Sequence, residues 1–155
     1  MIRFAKYILP MCAALPCSAQ VEKVAMKTTG ISCGMCAGIS ELYFRMMPGV
    51  DKVKISLRSE AIMLTYKPGA TLDTQAIRKV LDPLRVGVVQ FQVGVRGEVH
   101  EAAGKRTLTA GPERFILVDA IDSPDVPVGV RVRIEGILYD RKSPMEIKVL
   151  KVAQR

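Results

Sequence analysis

The sequence contains no tryptophan, a single histidine and four cysteines, and only 5% of its 155 residues are aromatic. One histidine and no serine-nucleophile motif give little support to a Ser-His-Asp triad. The net charge is +8, but the basic residues form no dense run and are not interleaved with aromatic residues, as they are in many nucleic-acid-binding proteins. We therefore expect neither an enzyme nor a nucleic-acid-binding protein.

The sequence also lacks an apolar run of the roughly 20 residues that a membrane-spanning helix needs. Its first residues have the layout of a secretory signal peptide: Arg3 and Lys6, an apolar run over residues 7–15, and small residues that end at Ala19. We expect residues 1–19 to be removed, the mature protein to act in the periplasm, and no stable insertion into the membrane. The alternative is an amphipathic start that is not cleaved.

Removal of residues 1–19 would leave Cys33 and Cys36 as the cysteines of the mature chain, which excludes a scaffold held together by many disulfides. The two lie in the segment GISCGMC, on a loop that enters a predicted helix. Thiolates prefer soft or borderline ions such as Cu(I), Hg(II), Cd(II) and Zn(II). A helix N-terminus favours the thiolate form. From the residues alone, a metal site, a redox pair and a disulfide all stay open.

The apolar pattern predicts strand, helix, strand, strand, helix and strand between residues 21 and 95. This is the element order of the ferredoxin-like βαββαβ fold, an α+β architecture. A tight turn over residues 58–60 joins the two middle strands. The first helix is predicted from about Cys36 to Met47, with a buried face formed by Ile39, Leu42, Tyr43 and Met46. The second is predicted over Asp73–Leu81, with its buried stripe formed by Ile77, Val80, Leu81 and Leu84.

From Arg96 onward, short alternating segments are separated by glycine and proline, and no helix is predicted. This pattern is typical of a small all-β domain and weakly resembles the five-stranded oligonucleotide/oligosaccharide-binding (OB) barrel. The predicted organisation is a signal peptide over residues 1–19, an α+β domain over residues 20–95 and a small all-β domain over residues 96–155. We expect the last domain to have a docking or stabilising role.

Residues 21 to about 95 resemble the heavy-metal-associated (HMA) domain, which is found in copper chaperones, metal-pumping ATPases and the periplasmic mercuric-ion-binding protein. The family motif G-M-x-C-x-x-C appears here as Gly30-Ile31-Ser32-Cys33-Gly34-Met35-Cys36, and the segment MMPGVDKVKISL matches the end of the first helix and the second strand. Ile31 replaces the usual methionine and is expected to fill the core. The segment LDPLRVGVV lacks the Gly-Tyr or Gly-Lys of the family loop that lies near the metal.

The resemblance implies that Cys33 and Cys36 bind one soft metal ion, with Cu(I) as the first candidate and Hg(II) or Zn(II) as alternatives. It implies a non-enzymatic carrier that hands the ion to a membrane metal transporter or to another metal-binding domain. One competing hypothesis is a periplasmic thiol-disulfide oxidoreductase, and another is an adaptor whose cysteines form a disulfide. Met35 and His100 are expected to be ordinary surface residues.

Overall fold

The computed structural model describes residues 20–119 and 121–154, so the predicted signal peptide lies outside the described residues. The helices are α1 (Gly34–Met46) and α2 (Thr74–Leu81), and a 3₁₀ helix (Asp82–Leu84) follows α2. The strands are β1 (Gln20–Thr29), β2 (Val50–Ser56), β3 (Ala61–Tyr66), β4 (Gly87–Ala102), β5 (Lys105–Ala110), β6 (Glu113–Val118), β7 (Arg131–Tyr139) and β8 (Glu146–Gln154). Among the residues so described, no helix is both long and apolar enough to cross a bilayer.

The elements from β1 to β4 form the predicted ferredoxin-like unit. Its strands lie in the order β2-β3-β1-β4, and each neighbouring pair is antiparallel. The two helices pack beside one another, α1 against β2 and α2 against β4. Alternate residues of the central strands, such as Val24, Met26 and Leu64, are buried beneath them. The predicted order of strands and helices is therefore confirmed.

Helix α2 buries the face that its sequence predicts. Ile77 and Leu81 are fully buried, and Val80 and Leu84 pack partly buried against the core. Asp73 is the N-cap residue, and its carboxylate accepts a hydrogen bond from the backbone N–H of Ala76 at 2.8 Å. The buried stripe of α2 therefore lies where the sequence predicts it, and Asp73 caps the start of the helix.

Helix α1 is rotated relative to the prediction. The residues expected in the core are instead exposed to solvent: Ile39 by 36%, Leu42 by 59%, Tyr43 by 51% and Met46 by 62%. The buried side is formed by Ala37, Ser40, Phe44 and Met47. Small residues at positions 37 and 40 let the first turns of α1 lie close to the sheet, and Phe44 fills the core further along. The predicted core face of α1 was therefore wrong.

Strand β4 joins the ferredoxin-like unit to a barrel. Its first part pairs with β1, and its last residues pair with β5, so the boundary predicted after Val95 falls within one continuous strand. Five strands close the barrel in the order β4-β5-β6-β8-β7, and β7 pairs back onto β4. Among its described strands, only β6 and β8 run parallel to each other. The closed five-stranded barrel agrees with the sequence pattern, whereas its likeness to the OB fold stays a prediction.

A close approach explains one glycine of β4. A Cβ atom at Gly97 would collide with the backbone carbonyl oxygen of Thr109, at the point where β4 leaves β1 and begins to pair with β5. Only glycine allows the two backbones to come so close.

A single hydrophobic core runs through both halves. The face of β4 that packs beneath the helices, with Phe91 and Val93, continues into the barrel interior at Val99. On the outside, Lys23 Nζ of β1 donates to Glu135 Oε1 of β7 at 2.7 Å, and Glu22 of β1 pairs with Arg133 of β7 at 2.8 Å. The barrel is thereby attached to the strand that leads to the cysteine loop.

Candidate metal centre

The loop of residues 30–33 carries the cysteine motif from the end of β1 to the start of α1. Gly30 has a φ of +86°, and a Cβ there would lie 2.8 Å from the carbonyl oxygen of Arg85, so glycine is required on both grounds. Ile31 is fully buried, as predicted from its place in the motif, and anchors the loop in the core. The segment after the 3₁₀ helix therefore adjoins the cysteine loop.

Cys33 is the N-cap residue of α1. Its backbone is extended, with φ −117° and ψ 144°, and its Sγ accepts a hydrogen bond from the backbone N–H of Cys36 at 3.1 Å. Its carbonyl oxygen accepts from the N–H of Ala37 at 3.1 Å, which begins the helical hydrogen-bond ladder. The sulfur thus occupies the place that a serine or aspartate oxygen usually takes at a helix start.

Cys36 lies in the first turn of α1, and its backbone N–H donates to the Cys33 sulfur at 3.1 Å. The neighbouring Cys36 thiol, together with this N–H, lowers the pKa of Cys33 below its ordinary value. The neighbouring Cys33 sulfur and burial raise the pKa of Cys36. The positive end of the helix dipole and the N–H of Cys36 both favour a thiolate at Cys33.

Both cysteines are free thiols and accessible, Cys33 being exposed and Cys36 partly exposed. Within residues 20–119 and 121–154, no group of three or more His, Cys, Asp or Glu side chains is placed to hold a metal ion. The four-ligand closure of structural zinc is therefore not built from the described side chains. Two adjacent soft sulfurs fit a soft ion of low coordination number, and they leave one side of it open.

Three further polar or soft side chains, those of Met35, Lys27 and His100, lie away from this pair or face solvent. Met35 is 77% exposed and belongs to the first turn of α1. Lys27 donates its Nζ hydrogen to the carbonyl oxygen of Ser59, in the turn between β2 and β3. His100 is exposed on β4, with its Nε2 3.9 Å from a carboxylate oxygen of Glu98. The sequence pattern did not predict the exposed apolar side of α1, although the small residues at positions 37 and 40 indicate which side packs on the sheet.

Comparisons with known proteins point to the same part of the chain. The chain is 31% identical over 84 residues to a probable copper-exporting P-type ATPase of Archaeoglobus fulgidus, a match that covers 54% of this chain and 10% of the ATPase. It is 32% identical over 68 residues to the copper-exporting P-type ATPase of Bacillus subtilis, covering 44% of this chain and 8% of that protein. The N-terminal half of the chain is a heavy-metal-associated domain.

A solved structure is matched over part of the chain at a low TM-score. The HMA domain of this chain is similar to a copper-bound variant of CopA from Bacillus subtilis, with 31% identity and a TM-score of 0.38 over 45% of this chain and 91% of the other. No family model matches the chain. The chain spans about a tenth or less of the length of the curated relatives it matches. The likeness therefore concerns the HMA domain, and the role of the whole chain has to be argued from its own residues.

Proposed function

We propose that this protein is an exported carrier of Cu(I) that captures the ion between Cys33 and Cys36 and passes it to another metal-binding protein. One observation carries the proposal: two free, accessible cysteines lie together at the start of α1 in an HMA domain, where the backbone N–H of Cys36 donates to the Cys33 sulfur. The copper-exporting relatives support copper over mercury or zinc. The periplasmic location rests on the leader pattern of residues 1–19 and is part of the proposal.

The two thiols have different parts in capture. Cys33 supplies the first thiolate, because the neighbouring thiol and the N–H of Cys36 lower its pKa. Both sulfurs must be deprotonated to hold the ion, so binding of the ion releases the protons that the thiols still carry. Capture is therefore expected to become tighter as pH rises. A Cu(I) ion held by two sulfurs stays open to attack by a thiolate of the next protein, and it can be handed over without first being released to water. The receiving protein is a membrane metal transporter or another metal-binding domain.

The test is a Cu(I) titration of the reduced chain against a coloured Cu(I) chelator, in a background in which Cys12 and Cys17 are replaced by serine. We expect one tightly bound equivalent, lost in Cys33→Ser and in Cys36→Ser. Ser32→Ala is the matched control, since it changes an exposed neighbour on the same loop and should bind one equivalent. Parallel titrations with Hg(II) and Zn(II) establish the preference. Undiminished binding in either cysteine variant would refute the proposed site.

A thiol-disulfide oxidoreductase is the second candidate, because the lowered pKa of Cys33 also suits a nucleophilic cysteine. An insulin-reduction assay separates the two functions. Catalytic turnover combined with weak binding of Cu(I) would favour the oxidoreductase. Tight binding without turnover would favour the carrier. A disulfide in the freshly isolated protein, with neither property, would favour the adaptor.

A further inference from the structure

The side of the sheet that faces away from the two helices continues from the HMA domain into the barrel. The strand register places one row of residues across β2, β3, β1, β4, β7 and β8: Lys54, Met63, Ala25, Gln92, Ile137 and Lys148. The row beside it consists of Lys52, Thr65, Lys23, Gly94, Glu135 and Lys151. With about 4.8 Å between neighbouring strands, each row is about 24 Å wide. We call these two rows the open sheet face.

Both rims of the open sheet face carry lysines without an acidic partner. Lys52 and Lys54 lie on β2 at one rim, and Lys148 and Lys151 lie on β8 at the other. Within residues 20–119 and 121–154, no carboxylate forms an ion pair with any of these four ammonium groups. Residues from the two ends of the folded chain therefore meet on one basic surface, which no run of basic residues in the sequence indicates.

The floor between the rims adds no net negative charge. Lys23 Nζ pairs with Glu135 Oε1 at 2.7 Å, and its stem crosses Gly94, where a Cβ would lie 2.7 Å from Lys23 Cε. Glu22, beside Lys23 on β1, pairs with Arg133 of β7 at 2.8 Å. The other floor residues are neutral: Ala25, Met63, Thr65, Gln92 and Ile137. The two rows together hold five lysines and one glutamate, so the face is strongly basic.

The width of the face and the type of its cations select the ligand. A small anion meets one rim and cannot reach the other across about 24 Å. Proteins that bind single-stranded nucleic acid add aromatic side chains on which bases stack, and the two rows contain none. Protein interfaces are enriched in aromatic residues and arginine and depleted in lysine.

An extended anionic surface fits the same features. Clusters of roughly four to eight lysines or arginines are typical of protein surfaces that meet anionic lipids. Lysine suits such a surface because its flexible apolar stem lets the ammonium group reach phosphates at different positions. The open sheet face has lysines at both rims and a floor without unpaired carboxylates, so it is complementary to a layer of anionic headgroups.

We propose that the open sheet face binds the surface of a membrane that contains anionic phospholipids. The contact is peripheral, because lysine ammonium groups meet lipid phosphates and no part of the chain enters the hydrocarbon core. Cys33 and Cys36 lie at the start of α1, on the helix side of the sheet, so the bound chain keeps its thiols in water. The use we infer is to hold the carrier beside a membrane transporter, and that use rests on the proposed function.

The experiment measures cosedimentation of the reduced mature chain, residues 20–155, which contains every described helix and strand, with lipid vesicles. One set of vesicles is phosphatidylcholine alone, and the other is phosphatidylcholine mixed with phosphatidylglycerol. We expect binding to the mixed vesicles alone. Added salt should release the chain at about 1 M, where the Debye length is about 3 Å.

Charge variants locate the contact. Each lysine near an anionic membrane strengthens binding about fivefold, so Lys52→Gln/Lys54→Gln should weaken it about 25-fold. Lys148→Gln/Lys151→Gln, at the other rim, should weaken it by a similar factor. The matched control Lys79→Gln/Lys105→Gln removes the same charge from exposed positions on α2 and β5, and it should bind nearly as tightly as the unchanged chain.

Equal binding to the two kinds of vesicle would overturn the proposal, as would equal losses in the rim variants and the control, since binding would then follow net charge alone. Tighter binding to soluble poly-glutamate than to the mixed vesicles would also overturn it and would indicate an acidic protein as the ligand.

The double variant Cys33→Ser/Cys36→Ser separates this inference from the proposed function. If it keeps vesicle binding and loses Cu(I) binding, both proposals stand. If it keeps both, only the proposed function fails. If the unchanged chain binds Cu(I) through its cysteines but does not bind the mixed vesicles, only this inference fails.

Discussion

The two helices of the HMA domain lie on the same sheet but are used differently. Helix α2 has one apolar stripe, which is buried, and it is joined to the barrel by the pair of Arg78 with Asp140 of the segment between β7 and β8. Helix α1 has apolar residues on two sides, of which only the side with Phe44 is buried. Helix α2 therefore covers the sheet and ties it to the barrel, whereas α1 covers the sheet with one side and presents its start and its other apolar side to solvent.

The largest expected effect compares two positions on α1 that are two residues apart. Phe44→Ala should lower the free energy of unfolding by about 3–5 kcal/mol, because it leaves a cavity in the core. Leu42→Ala should change it by less than about 0.5 kcal/mol, because Leu42 is 59% exposed. Urea unfolding measures both. Equal losses of stability at the two positions would mean that both sides of α1 pack against protein, and the contrast between α1 and α2 would not hold.

The next effect tests how firmly α2 is tied to the barrel. Arg78 donates to both carboxylate oxygens of Asp140 at 2.9–3.2 Å and lies over the ring of Phe91, 5.0 Å from its centroid. Asp140 is 7% exposed, so Arg78→Ala leaves its carboxylate largely buried and should cost about 1–3 kcal/mol. Lys79→Ala, on the exposed side of α2, is the control and should be nearly neutral. Equal urea midpoints for the two variants would show that the pair contributes nothing.

A smaller effect compares the two N-caps. Asp73→Ala removes the carboxylate that accepts from the N–H of Ala76 and should cost about 1 kcal/mol. Cys33→Ser keeps a hydrogen-bond acceptor at the start of α1, so its stability should change by less than about 0.5 kcal/mol while Cu(I) binding is lost. Thermal unfolding and the Cu(I) titration are measured on the same samples. A large loss of stability in Cys33→Ser would mean that the sulfur is mainly structural.

The smallest effect is a change in the dependence of stability on pH. Glu113 of the barrel accepts from the N–H of Leu72, just before α2, and its burial raises its pKa above the ordinary value of 4.5. A proton on the Glu113 carboxylate is therefore bound more tightly in the folded protein than in the unfolded chain. The stability that this protonation contributes is lost as pH rises from about 4.5 through the raised pKa. Glu113→Gln keeps an acceptor for Leu72 and should remove this loss.

Glu135 provides a control of opposite sign. The hydrogen bond from Lys23 lowers the pKa of Glu135. The ionised carboxylate therefore contributes to stability at pH values above its ordinary pKa, and this contribution is lost as pH falls through the lowered pKa. Glu135→Gln should therefore reduce the loss of stability in acid. Urea midpoints measured from about pH 3 to about pH 7 for both variants test these signs. If the slope of stability against pH changed in the same direction in both variants, the environments assigned to Glu113 and Glu135 would be contradicted.

Much of the HMA domain could be predicted because its local signals agree. The apolar stripe of α2, its Asp73 cap and the alternation of the strands all point to one arrangement, and the buried Ile31 follows from its place in the motif. The face of α1 could not be predicted in the same way. Helix α1 has apolar residues on two sides, and only one side can be buried. The apolar periodicity predicted burial of the side with the larger side chains and not of the side with Ala37 and Ser40.

The sequence by itself determined the order of the elements in the HMA domain and placed two cysteines where a loop enters a helix, because short-range patterns and spacing are enough for both. Tertiary structure alone decided which side of α1 is buried, how far β4 continues, and which strands close the barrel. The physical reason is that these outcomes depend on contacts between residues distant in the chain. The pairing of β4 with β7 and the closeness of Gly30 to Arg85 are two such contacts, and neither leaves a local pattern in the sequence.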